Sequence, residues 1–355
     1  MEGDFLCYYF NMFELLPIVI VILGLSLLVF IHEAGHFFAA KFFGLLVEEF
    51  GFGLPPRLWS RKIGETLYSF NWLPFGGFVK IYGERHFEEK TVVDEKRSFS
   101  HQKIWKRTAI VVSGVLMNFI LGWFLTSAVF MVGVPQSLMI TEVKGGGLAE
   151  KAGIMKNDRI SDFTVVAELV KFLDENKGRE VVLRVKRDSK DLEIKVTPRV
   201  KVPEGEGNLG IYLAETGIPK TGFFRSLYEG LVLSLKAVGE IIKGVFGLLA
   251  GIFTEKGVID KFVGPVGIVG MAIQASKDGL IYFVQLLALI SLNLAVFNVI
   301  PIPALDGGKL LFLAIEKIRG RAVSVKTEFV VTGASFMFLL ALILLVTLKD
   351  ILTLW

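Results

Sequence analysis

Apolar residues run almost unbroken over residues 15–43, 108–134, 280–300 and 329–348. Each run supplies the roughly 20 residues that a helix needs to cross the hydrocarbon of a bilayer. They predict an α-helical polytopic membrane protein with four transmembrane helices. A fifth apolar stretch, residues 223–253, is broken by Glu229, Lys236, Glu240 and Lys243. Their spacing puts the charges on one helical face, which predicts a helix lying along the membrane surface within a 220–279 linker. Residues 44–107 are polar and irregular apart from the aromatic stretch 70–80. Its Pro74 and Gly76-Gly77 cluster, set between apolar arms, predicts a membrane-associated β-hairpin loop with its turn there. Residues 135–219 are soluble in composition, with β-rich runs at 138–143, 180–186 and 192–197 around a helical stretch at 165–176. That order predicts a small α+β domain inserted between two membrane halves, 1–134 and 280–355.

Composition and charge narrow the class. Of 355 residues, 53% are hydrophobic, and the net charge of +4 offers no electrostatic grip on nucleic acid. The expected surroundings are a lipid bilayer. Cys7 is the only cysteine, which leaves neither an internal disulfide nor a thiolate metal site. Residues 1–14 carry Glu2, Asp4 and Glu14 and no Lys or Arg, unlike the basic start of a secretory signal. The first apolar run is therefore expected to be retained as a membrane helix. Loop charges set the expected orientation. Residues 44–107 hold 11 Lys or Arg against 8 Asp or Glu, and Lys309, Lys317, Arg319, Arg321 and Lys326 follow the third run. Both segments are expected inside, with the N-terminus and residues 135–279 outside. A fifth span at 223–253 would invert the second basic segment.

The first apolar run contains His32-Glu33-Ala34-Gly35-His36. Histidines four apart on a helix share a face and can reach one Zn²⁺, while Glu33 can take a proton from water at that metal. A charged side chain at membrane depth costs about 2–3 kcal/mol or more, so ionisable groups there need a compensating partner. Catalytic zinc usually has a third protein ligand. His86 and His101 lie in the polar loop and reach the site only if that loop folds back. Asp306 follows the inner end of the third run, after Pro301 and Pro303 and before Gly307-Gly308. Spacing alone leaves two roles open for it: metal ligand, or cap of the helix that follows.

Together, His-Glu-Ala-Gly-His and Asn298-x-x-Pro301-x-Pro303-x-Leu305-Asp306-Gly307 resemble the site-2 protease family, more narrowly the bacterial RIP zinc metalloproteases. The similarity extends to residues 49–53, 76–80, 105–107 and 264–268. It implies one zinc ion on His32, His36 and Asp306, with Glu33 as general base. It also implies a PDZ module at residues 138–200, with 145–148 as its ligand loop and Asn157 standing where the family has glycine. Asn118, Asn293 and Asn298 match family asparagines near the active site, as substrate contacts or as helix-packing groups, with Asn118 also placed to orient a ligand. Gly76, Gly77 and Phe78 match a membrane-dipping β-loop that holds substrate as an added strand. The resemblance further implies a bacterial inner (cytoplasmic) membrane location, a PDZ-like domain outside the cytoplasm and an active site towards the cytoplasm. Expected substrates are single-span membrane proteins such as anti-sigma factors, or remnant signal peptides. The competing reading is a catalytically silent scaffold whose PDZ-like domain recruits partners, against which the intact Glu33 argues.

Overall fold

A computed structural model describes residues 12–84, 94–187, 190–201, 207–251 and 263–353. The chain forms two compact units, one from the parts up to Ser127 and from Leu227 onward, the other from Ala128–Ser226. The described residues contain four helices long and apolar enough to cross a membrane: Pro17–Phe42, Ile104–Val132, Leu280–Val299 and Val325–Thr353. They coincide with the four apolar runs, and the chain is a polytopic membrane protein. The first of them belongs to α1 (Met12–Phe42), and the others are α2 (Ile104–Val132), α7 (Leu280–Val299) and α9 (Val325–Thr353). The charged apolar stretch forms one continuous helix, α5 (Phe223–Gly251).

Between α1 and α2 the chain forms a small sheet from two bent strands, β1 (Val47–Ile63) and β2 (Thr66–Ile81), in which Glu49–Phe52 pairs with Leu67–Phe70 on one side and with Gly77–Lys80 on the other. The chain reverses where the Pro/Gly cluster led us to expect, between Asn71 and Gly77: residues 67–70 run parallel to Glu49–Phe52 and residues 77–80 antiparallel to it, with Gly76 at φ +81°. A second turn, outside the sequence expectations, falls at Gly64-Glu65, where Gly64 has φ +62° and Ile63 pairs with Thr66. The reversal at Pro74–Gly77 rests against α1. The Ser26 hydroxyl donates to the Pro74 carbonyl. A Cβ on Gly76 would come within 2.9 Å of Val29 Cγ1, and one on Gly77 within 2.9 Å of the Gly51 carbonyl oxygen. The glycines thus serve both the turn and the close approach to neighbouring elements. Phe37 stacks on Phe50 with ring centroids 4.7 Å apart, and a core of Phe37, Leu45, Val47, Ile81 and Ile110 joins the strands to α1 and α2.

After α7 the chain turns sharply through Pro301 and Pro303 into α8 (Asp306–Arg319). A Cβ on Gly307 would overlap the Ile300 carbonyl, and one on Gly308 would overlap Pro303 Cα, so the turn needs both glycines. A buried guanidinium, Arg107 on α2, donates to Glu316 on α8 at 2.5 Å. Helix α6 (Pro265–Asp278) starts at Gly264, and its Gly267 N–H donates to Asp350 of α9 at 2.8 Å.

The other unit holds a five-stranded sheet ordered β6-β5-β4-β3-β7. Its strands are β3 (Val134–Val143), β4 (Arg159–Ile160), β5 (Val181–Arg187), β6 (Lys190–Val196) and β7 (Ile211–Ile218). Alternating strand residues and two helices, α3 (Leu148–Lys151) and α4 (Val166–Glu175), close one core around Leu138, Ile140, Ile160, Leu169 and Leu183. Asn157 has φ +72°, a conformation that asparagine tolerates better than most residues. Next to it, buried Asp158 accepts from Arg187 Nε and Nη2, both at 2.7 Å.

Candidate metal centre

Helical spacing puts His32 and His36 one turn apart on the face of α1 that meets α2 and α8. Both rings are 7% exposed. His32 Nε2 lies 2.9 Å from Asp306 Oδ2, His36 Nε2 lies 3.1 Å from the same oxygen, and the two nitrogens are 3.2 Å apart. Asp306 is in the first turn of α8, and Leu305 occupies the cap position. Its carboxylate therefore faces the histidines. Burial opposes its charge, yet the imidazole contacts and Lys309 hold the carboxyl well below the usual carboxylate range. His101 sits instead among Ser98 and Ser100, and His86 lies outside the described residues.

The donor set fits zinc. His36 Nδ1–H donates to the Ile110 carbonyl at 2.8 Å, which leaves Nε2 with its lone pair facing Asp306 and His32. Lone pairs converging this closely call for a cation between them. Bonds of about 2.0–2.1 Å in a tetrahedron put zinc ligand atoms about 3.3 Å apart, close to the spacing seen here. On the outer side of His32, its Nδ1 lies 3.2 Å from the Asn118 amide nitrogen, while Asn118 Oδ1 is buried without a partner. Turning that amide over presents Oδ1 to the Nδ1 proton and gives His32 the same tautomer as His36.

Of the other residues singled out in the sequence, Phe78 lines a cleft of about 900 Å³ together with Glu33, His36, Asp306 and Lys309. Asn118 is 0% exposed and its side chain meets His32. Asn293 donates to Leu289 of its own helix. Asn298 lies half-buried in the last turn of α7, five residues on. Gly76 and Gly77 precede Phe78 in β2 and pack closely on Val29 and on the Gly51 carbonyl. Three residues went unrecognised as parts of the site. A Cβ on Gly35 would overlap the Ser113 carbonyl, and one on Gly114 would overlap the His36 ring. The α1–α2 crossing therefore closes at the histidines only because both positions lack a side chain. A small residue inside HExxH was the one available hint. Lys309, noted only as a loop charge, brings its Nζ to 2.7 Å from Glu84 Oε1 and 3.6 Å from Asp306 Oδ1. Burial works against its charge, but the two carboxylates more than offset this and push its pKa up.

Two histidines beside a glutamate in the first of four membrane-crossing helices, met by an aspartate from α8, make up the chemistry of membrane zinc metalloproteases. Residues 20–342 match the model of peptidase family M50, and the chain belongs to that family, the site-2 proteases. It is similar to the Regulator of sigma-W protease RasP of Bacillus subtilis, 28% identical over 422 residues covering 94% of this chain and 98% of the relative. It is also 29% identical to the Zinc metalloprotease RasP of Bacillus licheniformis over 417 residues, with the same coverage of both chains. The chain is accordingly a bacterial multi-pass membrane zinc metalloprotease.

Proposed function

We propose that His32, His36 and Asp306 hold one zinc ion and that Glu33 is the general base for hydrolysis of a peptide bond in or near a substrate's transmembrane segment. The observation that carries this reading is the meeting of Asp306 Oδ2 with both imidazoles, across a separation of 270 positions from His36. When bound, zinc supplies Lewis-acid activation of water and of the scissile carbonyl. Glu33, in the cleft wall, takes the proton from that water and returns it to the departing amine. The Ile110 carbonyl and Asn118 keep the imidazoles turned to the metal. A helical substrate ties up its carbonyls in its own hydrogen bonds, so it must be extended before cleavage. The 78–81 end of β2, which lines the cleft, can pair with that extended segment, with Phe78 beside it. Asn298 and Asn293 are assigned as contacts to the substrate backbone.

The substrates are single-span proteins already shortened outside the membrane, of the anti-sigma-factor kind, or remnant signal peptides. The printed name of the Bacillus subtilis relative, a regulator of sigma-W, supports a place in regulated proteolysis. Loop charges support an orientation with the zinc site towards the cytoplasm and Ala128–Ser226 outside. That unit is read as a PDZ-like domain in contact with peptide or ectodomain, supported by its sheet-and-helix core and by Asn157 in the left-handed position of a family glycine.

Glu33→Gln tests the base directly. The purified variant should keep zinc and lose at least about 100-fold in cleavage of a model transmembrane substrate. Undiminished cleavage by that variant would exclude Glu33 as the base, and zinc-dependent cleavage by the wild type would dispose of the silent-scaffold reading.

A further inference from the structure

The two oxygens of Asp306 face different partners. Oδ2 turns to His32 and His36, while Oδ1 turns to Lys309, one helical turn further along α8, at 3.6 Å. A lysine three residues from an aspartate is commonplace and by itself worth little. Here the ammonium is also fastened from a separate element. Glu84 follows β2, with its N–H donated to the Ile81 carbonyl, and its Oε1 accepts from Lys309 Nζ at 2.7 Å. Lys309, Glu84, Asp306 and Glu33 all line the same cleft. An ammonium 3.6 Å from Oδ1 attracts that oxygen electrostatically and so opposes its turning to the cation.

We propose that Lys309, steadied by Glu84, is a positioning residue that holds Asp306 as a one-oxygen ligand of the zinc ion. The inference rests on the assignment of Asp306 as a ligand. Its consequence is specific: catalytic zinc needs a coordination position free of protein, and a second carboxylate oxygen would occupy it.

The test uses full-length protein in detergent, loaded with zinc, and follows release of the metal to a chelator. Partners that orient a ligand typically change metal affinity 10–100-fold. Lys309→Met and Glu84→Gln should each release zinc about 10–100-fold faster than the wild type, and Lys309→Arg should recover most of that loss. With cobalt in place of zinc, the visible absorption of Lys309→Met should weaken as coordination rises from four to five. If Lys309→Met does not fold, Glu84→Gln, which leaves α8 intact, decides the matter. Wild-type release and an unchanged cobalt spectrum in these variants, with zinc lost from Asp306→Ala, would overturn the role of Lys309 alone. Zinc held at the wild-type rate by Asp306→Ala would instead bring down the ligand assignment beneath it.

Discussion

Gly114 contributes no functional group, yet the site depends on what it lacks. A methyl group there would overlap the His36 ring and come within 2.9 Å of His32 Cε1. Neither ring can retreat far, because His36 is tied to Ile110 and His32 faces Asn118. Gly114→Ala is therefore expected to cost about 1–3 kcal/mol in packing and to weaken zinc binding by at least about tenfold, measured by competition with a chelator. Much of this site was legible in the sequence at the level of donors. Two histidines four apart in an apolar run declare their chemistry by residue type and spacing, whereas for the aspartate after a Pro-rich turn spacing left ligand and cap open and the family resemblance singled out the ligand. The residues that orient these donors declare no such chemistry. Which atom Asn118 touches, and whether Lys309 meets a carboxylate from another element, depends on where α2 and α8 cross α1. Nothing local in the chain encodes those crossings.

At the scale of elements, hydropathy located the spans because length and apolarity are what a bilayer selects. The Pro/Gly cluster marked the reversal at Pro74–Gly77, but the β1–β2 turn at Gly64-Glu65 is a weak signal among charged neighbours and was not located. Nor did hydropathy say how the spans are fastened. Helix α9 runs for 29 residues with Val346 and Asp350 as its buried side chains. Asp350 caps α6 from outside that helix by accepting the Gly267 N–H, and a Cβ on Gly264 would sit 2.6 Å from Asp350 Oδ2. The Gly-Pro-x-Gly sequence at the start of α6 thus makes room for a carboxylate at a helix N-terminus, where its charge is favoured. Asp350→Ala should lower stability by about 0.5–2 kcal/mol, seen as a lower midpoint in thermal unfolding of the detergent-solubilised protein. Asp350→Asn, which keeps an acceptor, should fall between the two.

At the scale of the whole molecule, the site draws on both membrane parts of the chain, with Ala128–Ser226 between them in sequence. A chain stopped before Pro301 retains α1, α2 and α7 but lacks the aspartate. Metal analysis should find it zinc-free under conditions that load the full protein. The order of synthesis then acquires meaning. The ribosome makes the imidazoles first and the carboxylate 270 positions after His36, an interval on the order of tens of seconds at bacterial elongation rates. On the proposed ligand set, the half-made enzyme lacks a complete metal site throughout that interval, and cleavage begins only once Asp306 has been made and folded against the histidines.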